Sequence, residues 1–212
     1  MSLFAVTSSE ATPLLSRMMK YRPGFLVFPL LFAIAALANA TTVIPPDFDQ
    51  LVSRAEVIFE GEVTGLQSQW IGEGAEHRIV TFVTFKVDEA LKGNPGATYT
   101  MRMLGGTVDG ETIGVTDAPK FKVGDHDLLF VEHNGSQFVP LVGIQHGRFH
   151  IQKDQSGNDI VVTGEGQPMA DVNQLGTNEE AVAKNKAPLS LRDFKTAVQT
   201  RLRQQQAALK IP

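Results

Sequence analysis

The feature that most constrains the fold is a series of short segments, between residues 56 and 163, in which apolar and polar residues alternate. In the first of them, residues 56–65, apolar side chains occupy odd positions, and Glu60 and Glu62 occupy even ones. Because side chains alternate across a β-strand, this pattern predicts a strand with one buried face. Many short strands separated by turn residues are typical of an antiparallel sandwich or barrel, and not of βαβ units.

Further strands are predicted by the same reasoning, and Asn134-Gly135 carries the strongest hairpin signal. They cover residues 78–91, 98–104, a hairpin over 107–115, 126–133, 137–142, and a last hairpin formed by 147–153 and 159–163. Residues 78–91 are apolar on both faces at their start, which favours a coiled strand that serves two sheets or closes a barrel. We therefore predict an all-β, antiparallel OB-like or related small barrel.

Two helices are expected to flank the β region. Asp47 would cap a short helix over residues 47–55, and Ser190 a longer amphipathic helix that runs to about residue 208. Residues 164–188 are polar and lack any period, which predicts a loop or linker. The predicted domain order is thus a β-barrel domain over 41–163, a linker over 164–188, and a C-terminal helix over 189–212 that packs on the barrel.

The N-terminal 40 residues have the layout of an export signal. Lys20 and Arg22 precede an apolar run over residues 25–38, which ends in the small-x-small pattern Ala38-Asn39-Ala40. A run of about 14 residues is too short for a permanent membrane anchor. Residues 1–40 are therefore predicted to be an extension and a signal peptide, with the true start at Met18 or Met19. The expected location is periplasmic or secreted.

Charge and composition exclude several classes of function. The formal net charge of −4 argues against nucleic acid as a partner. Because the chain has no cysteine, it cannot be a disulfide-stapled scaffold, a thiolate metal site or a lipid-anchored lipoprotein. The sequence also lacks a nucleophile elbow, a phosphate loop, a dinucleotide fingerprint and a His-Glu-x-x-His motif. No catalytic residue and no cofactor are predicted, and whether the protein is an enzyme is left open.

Histidines offer a weak alternative, a metal site made by His146 and His150. In a strand these residues would lie about 13 Å apart, whereas ligand nitrogens sit about 2 Å from a zinc ion. Only a sharp bend at Gly147 could bring them together. Solvent-facing or hydrogen-bonded histidines are the simpler interpretation.

Oxygen ligands and acid–base pairs are a second possibility. The pair Glu60 and Glu62, and the pair Asp125 and Asp127, have the spacing of neighbours on one strand face. Acidic side chains on a wet strand face are the alternative interpretation. The acidic and polar residues of 154–159 could offer oxygens to calcium, but a hairpin turn accounts for them, and they lack the register of a calcium-binding loop.

The pattern of glycines, prolines and core residues resembles a group of uncharacterised exported bacterial proteins that share a β domain of this length. The motifs are Ala55-Glu56-Val57, Gly61, Val63, Thr81, Phe85, Val87, Leu91-Lys92-Gly93, Gly105-Gly106, Ala118-Pro119, Phe121, Gly124, Leu129-Phe130, Gly143, Gln145, Gly147 and Phe149. The strand pattern is also similar to the OB-type barrels of netrin modules and metalloproteinase inhibitors, whose cysteines are missing here. The resemblance implies a fold more than a function.

We therefore predict a non-catalytic binding or protein-interaction module of the cell envelope, with an envelope or extracellular protein as its partner. Its predicted contact residues are Gly105, Gly106, Pro119, Phe121 and His146 together with Trp70, the only tryptophan, in a loop over residues 67–76. The alternative is a hydrolase or metal-dependent enzyme with a cross-strand site of histidine and acidic residues. A third hypothesis is an assembly protein that self-associates through an edge strand at 78–91.

Overall fold

A computed structural model describes residues 45–177 and 187–210 of the chain. The expected signal peptide, the alternative starts at Met18 and Met19, and the part of the predicted linker over residues 178–186 lie outside these ranges. Within them, no helix is long and apolar enough to cross a membrane.

The described chain is mostly β, as predicted, with eight strands in two antiparallel sheets. The strands are β1 (Val57–Ile71), β2 (Arg78–Lys92), β3 (Thr98–Leu104), β4 (Gly106–Val108), β5 (Glu111–Ile113), β6 (His126–Val131), β7 (Arg148–Lys153) and β8 (Asp159–Thr163). The main sheet has the order β3-β2-β1-β6-β7-β8, and β4 pairs with β5 alone. Because β3 and β8 stand at opposite ends of this order, the sheet is not closed, and the OB-like barrel is not confirmed.

The first hairpin of the sheet is longer than its sequence pattern predicted. β1 continues to Ile71, where it pairs with Arg78 at the start of β2. Trp70 therefore lies in a strand, and its prediction in a loop was wrong. Cross-strand pairing explains the difference, because polar Ser68 on β1 finds a partner in Thr81 on β2, with 2.8 Å between their hydroxyl oxygens.

Strand β2 has the predicted position, but its place in the sheet is not the predicted one. It lies between β1 and β3 and is hydrogen-bonded on both sides. The hypothesis of self-association through an edge strand at 78–91 is therefore wrong. The apolar residues on both faces of its first half reflect this central position.

The predicted Asn134-Gly135 hairpin is absent. Residues 137–142 form no strand, and an isolated bridge between Val131 and Leu141 is all that joins them to β6. The Asn134 side chain instead binds the edge of β3, where it accepts from the Arg102 amide at 2.9 Å and donates to the Thr100 carbonyl at 2.8 Å. Here a tertiary contact outweighs the local turn preference.

Both predicted helices are confirmed, and they cover one face of the sheet. Helix α1 (Phe48–Arg54) begins with a capping box at Asp47, and α2 (Leu191–Ala208) begins at Ser190, whose hydroxyl accepts from the Asp193 amide. In α2, the Phe194 ring lies 4.9 Å from the ring of Phe149 on β7. This contact docks the longer helix on the sheet.

The opposite face of the sheet carries a second apolar core, covered by loops. Its residues are Phe59, Val63, Val83, Phe85, Met101, Met103, Phe121, Leu129, Val131, Val139 and Leu141. The central strands are apolar on both faces, and only a few polar groups are buried among them. They form two clusters, one on each face of β6.

Candidate metal centre

Three potential metal ligands from three adjacent strands converge on the face of the sheet that the helices cover. The Nε2 atom of His126 on β6 lies 3.1 Å from Oε1 of Glu60 on β1 and 3.4 Å from Oδ2 of Asp88 on β2. We call this group the Glu60–Asp88–His126 cluster. In the part of the chain that the structure describes, it is the one set of three such groups whose ligand atoms all lie within 4.8 Å of one another.

A β-bulge lies at Asp88. In the pairing of β1 with β2, Glu60 faces Glu89 and Gly61 faces Val87, so that Asp88 has no partner of its own. Counted from Val87, which packs against the loop-covered core, alternation directs Asp88 to the helix-covered face, and the extra residue lets Glu89 point to that face as well. Two consecutive carboxylates of β2 therefore share the face that carries Glu60 and His126.

Two lysines bind the carboxylate oxygens that point away from His126. Nζ of Lys195 on α2 lies 2.7 Å from Oε2 of Glu60 and 2.7 Å from Glu89. Nζ of Lys86 donates to Oδ1 of Asp88 at 3.0 Å. Each carboxylate therefore has one oxygen fixed by a lysine and the other oxygen near His126. Partners of this kind orient metal ligands in known sites.

Hydrogen bonding within the cluster is incomplete. The Nε2 atom of His126 is shielded from solvent and has no hydrogen-bond partner among the described residues, although two carboxylate oxygens lie within ion-pair distance. Neither oxygen therefore lies where a ring N–H would point. When an imidazole nitrogen and two carboxylate oxygens bind the same metal ion, the ion lies along the N–H direction of the ring and the oxygens lie to the side of it. A tetrahedral ion with bonds of about 2.0 Å holds its ligand atoms about 3.3 Å apart. The observed separations agree with that value.

Burial and charge also favour a cation at this place. Glu60 is 8% exposed, while the side chain of His126 is 37% exposed, so the cluster has a buried wall and an open side. Burial alone would lower the pKa of Lys195, but hydrogen bonds from Glu60 and Glu89 and their charges outweigh it, and the pKa is raised. The hydrogen bond to Asp88 and its charge likewise raise the pKa of Lys86. Glu60, Asp88 and Glu89 carry three formal negative charges against two on the lysines, so that one net negative charge remains.

A second polar cluster lies on the other face of β6 and has no free position. The guanidinium of Arg148 donates to Asp127 at 2.9 Å, to Asp125 at 2.6 Å and to the Lys120 carbonyl at 2.7 Å. It also stacks on the ring of Phe121 at 3.9 Å. Asp127 and Arg148 are 0% and 3% exposed. We call this the Arg148 cluster, and its satisfied contacts indicate a structural role.

The histidines proposed as a weak metal pair are used elsewhere. Nδ1 of His150 lies 2.7 Å from Oδ1 of Asp127, at the margin of the Arg148 cluster. His146 is half-buried in the turn before β7, where burial lowers its pKa and the charge of Glu165 opposes that shift. No set of three ligand groups in the described ranges includes either histidine.

The predicted contact residues are distributed over several parts of the fold. The Gly105 amide donates to the carbonyl of Ile79, the residue that faces Trp70 across the hairpin, and the Trp70 ring stacks on His77 with 4.2 Å between centroids. Gly105, Gly106 and Trp70 therefore share one region.

Pro119 is partly buried in the loop before Phe121. The ring of Phe121 is 9% exposed and packs edge-to-face on Phe85 at 5.6 Å. Its apolar surface is thus used inside the domain. The acidic turn between β7 and β8 has the predicted hairpin form, in which Asp154 accepts from the amides of Ser156 and Asn158.

The sequence analysis paired Glu60 only with its neighbour Glu62, and the histidine ligands it considered were His146 and His150. It proposed neither His126 nor Asp88. The missing information is the pairing of β1 with β6, which sets Glu62 opposite His126, and the bulge at Asp88. Neither leaves a local signal in the sequence.

Comparison with known proteins does not assign this site to a family. No protein-family model matches the chain, and no curated protein matches it either. The site must be judged on its own chemistry.

Proposed function

We propose that the protein is a binding module whose ligand is a divalent transition-metal ion, held by the Glu60–Asp88–His126 cluster. The observation that carries the proposal is the enclosed Nε2 atom of His126, which lies within 3.4 Å of two carboxylate oxygens and lacks a hydrogen-bond partner among the described residues. One imidazole with two carboxylates suits zinc, manganese or iron better than calcium or magnesium, which prefer oxygen ligands alone.

The test is isothermal titration calorimetry of the untagged protein with Zn²⁺ and, separately, with Mn²⁺. We expect one ion per chain and, for His126→Gln, an affinity at least about 100-fold lower, since even loss of an outer partner costs 10- to 100-fold. The matched control is His133→Gln, because His133 lies two residues beyond the far end of β6 and pairs with Glu56 at 2.9 Å. Equal affinity in the two variants, or no binding by the parent chain, would refute the proposal.

A second candidate is metal-dependent hydrolysis, which retains the enzyme alternative of the sequence analysis. It is favoured by the number of ligands, because three protein ligands leave the fourth tetrahedral position for water, as in catalytic zinc sites. The test is turnover of activated ester and phosphoester probes with added Zn²⁺. Activity that requires the metal and is lost in His126→Gln would support hydrolysis, and its absence would leave a binding site.

Export and a protein partner in the cell envelope belong to the same proposal. Their support is the signal-like pattern of residues 20–40 and the negative net charge. Amino-terminal sequencing of the protein recovered from a periplasmic fraction should begin at Thr41. An intact N-terminus at Met1, Met18 or Met19 would contradict export by this signal.

A relation to OB-type barrels also remains a proposal. Its support is the long strand β1, which pairs with β2 along most of its length and with β6 over residues 57–62. A long first strand shared in this way suits a sheet that curls toward closure.

A further inference from the structure

The outer edges of the main sheet are covered at its two ends. At β3, the Leu104 amide donates to the Phe138 carbonyl at 2.7 Å, and Asn134 caps Arg102. At β8, the amides of Val161 and Thr163 donate to the carbonyls of Leu189 and Gln167. Such cover is how proteins prevent unwanted strand pairing.

The second half of β1 has an edge that no other strand or loop covers in the described part of the chain. β1 pairs with β6 only up to Glu62, and the loop at 124–125 then binds both backbone groups of Val63 at 2.9 Å. Beyond the bulge at Thr64, residues 65–71 pair with β2 on one side, and no described residue pairs with them on the other. Every second residue of an antiparallel strand directs its N–H and C=O groups to that side. We call residues 65–71 the free edge of β1.

The composition of the free edge does not oppose pairing. Its sequence, Gly-Leu-Gln-Ser-Gln-Trp-Ile, contains no charged residue and no proline, which are the usual protections of an exposed strand. Leu66 is 41% exposed, and Trp70 and Ile71 are partly exposed. The edge therefore offers both unpaired backbone groups and apolar side chains.

We propose that the free edge of β1 pairs antiparallel with the same edge of a second copy of this chain. A two-fold axis at Ser68, the middle residue, would place Leu66 opposite Trp70 of the second copy, a favourable cross-strand pair. Two-fold pairing sets a segment against itself, so that several charges of one sign in the segment would come close to one another. The absence of charge over seven residues removes this obstacle.

The size of the contact sets the expected strength. Seven extended residues span about 23 Å, and an edge contact of this length buries less area than the 1,200 Å² typical of stable complexes. We therefore expect a weak dimer that forms as the protein concentration rises. This inference is independent of the proposed metal site, which lies beyond the Val63 end of the free edge.

Sedimentation equilibrium of the full chain, over a range of concentrations, tests the proposal with charge-swapped variants. Gln67 and Gln69 are exposed, so Gln67→Lys/Gln69→Lys should fold normally and remain monomeric, and Gln67→Glu/Gln69→Glu should do the same. An equimolar mixture of the two variants should recover the dimer, because opposite charges then face each other across the axis. Recovery in the mixture also shows that both variants are folded.

The matched control adds the same charge elsewhere. Gln152→Lys/Gln155→Lys alters two exposed residues of β7 and the turn after it, and it should dimerise like the parent chain. A parent chain that stays monomeric up to its solubility limit would overturn the proposal. So would a dimer that persists undiminished in the Lys and Glu variants.

Discussion

Adjacent residues of β6 serve two different clusters. His126 points to the helix-covered face and joins Glu60 and Asp88, whereas Asp127 points to the other face and binds Arg148. Alternation along a strand makes this division unavoidable. The two clusters differ in how completely their polar groups are paired. We infer a ligand from the incomplete cluster and a structural role from the complete one.

The Arg148 cluster is predicted to be a major contributor to stability. Arg148→Leu would leave Asp127, which is fully buried, with only the contact to His150, and breaking a buried ion pair by removing one partner costs about 3–5 kcal/mol. Urea denaturation should show this loss in the free energy of unfolding. Arg203→Leu, on the exposed part of α2, should change it by less than about 0.5 kcal/mol. Similar values for the two variants would argue against the structural role.

Gly106 is predicted to be required for packing. Its φ is +139°, and an added Cβ would lie 2.4 Å from Oγ1 of Thr81 and 2.5 Å from Oγ of Ser68. Gly110, at φ +86°, faces open space, so that Gly110→Ala should cost only the backbone strain of about 1–3 kcal/mol. Gly106→Ala should lower the thermal midpoint further than Gly110→Ala. Equal midpoints would mean that the close approach is not needed.

At the scale of the element, the docking of the α2 helix depends on one aromatic residue. Phe194 is fully buried and packs against Phe48, Phe130 and Phe149. Phe194→Ala should lower the free energy of unfolding by about 3–5 kcal/mol, whereas Leu209→Ala, at a residue 87% exposed, should leave it nearly unchanged. Chemical denaturation followed by circular dichroism measures both. A small effect of Phe194→Ala would show that the helix is held by other contacts.

Elements with a clear local signal were predictable, and their contacts were not. The alternation in β3, the capping residue Ser190 and the period of α2 all depend on neighbours in sequence, and these elements lie where they were expected. The end of β1 was missed because its polar residues do not alternate with apolar ones. Asn134 was misjudged because its side chain binds β3, a contact between residues distant in sequence. The metal cluster was missed for the same reason.

For the whole molecule, we predict a loss of stability in mild acid that depends on His146. Because burial lowers the pKa of His146, the unfolded chain takes up a proton near the ordinary value of 6.5, and the folded chain does so only at lower pH. Stability must then fall as the pH decreases through 6.5 and level off below the pKa of the folded state. Above 6.5 the histidine is neutral in both states and has no such effect.

The measurement is the free energy of unfolding of the parent chain and of His146→Gln at several pH values. The difference between them should be constant above the ordinary histidine pKa and shift against the parent chain below it. Taking the difference cancels the contributions of the other four histidines. A difference that does not change with pH would contradict the prediction.

The proposed site depends on the number of residues in β2, because its ligand Asp88 is the residue without a partner on β1. If the chain had one residue fewer between Val87 and Glu89, Gly61 and Glu60 could still face the same partners, and the ladder would become regular at this point. The sheet, both cores and the docked helix would persist, but His126 would retain a single carboxylate partner. The gain or loss of one codon, without any substitution, could therefore create or abolish this site in the course of evolution.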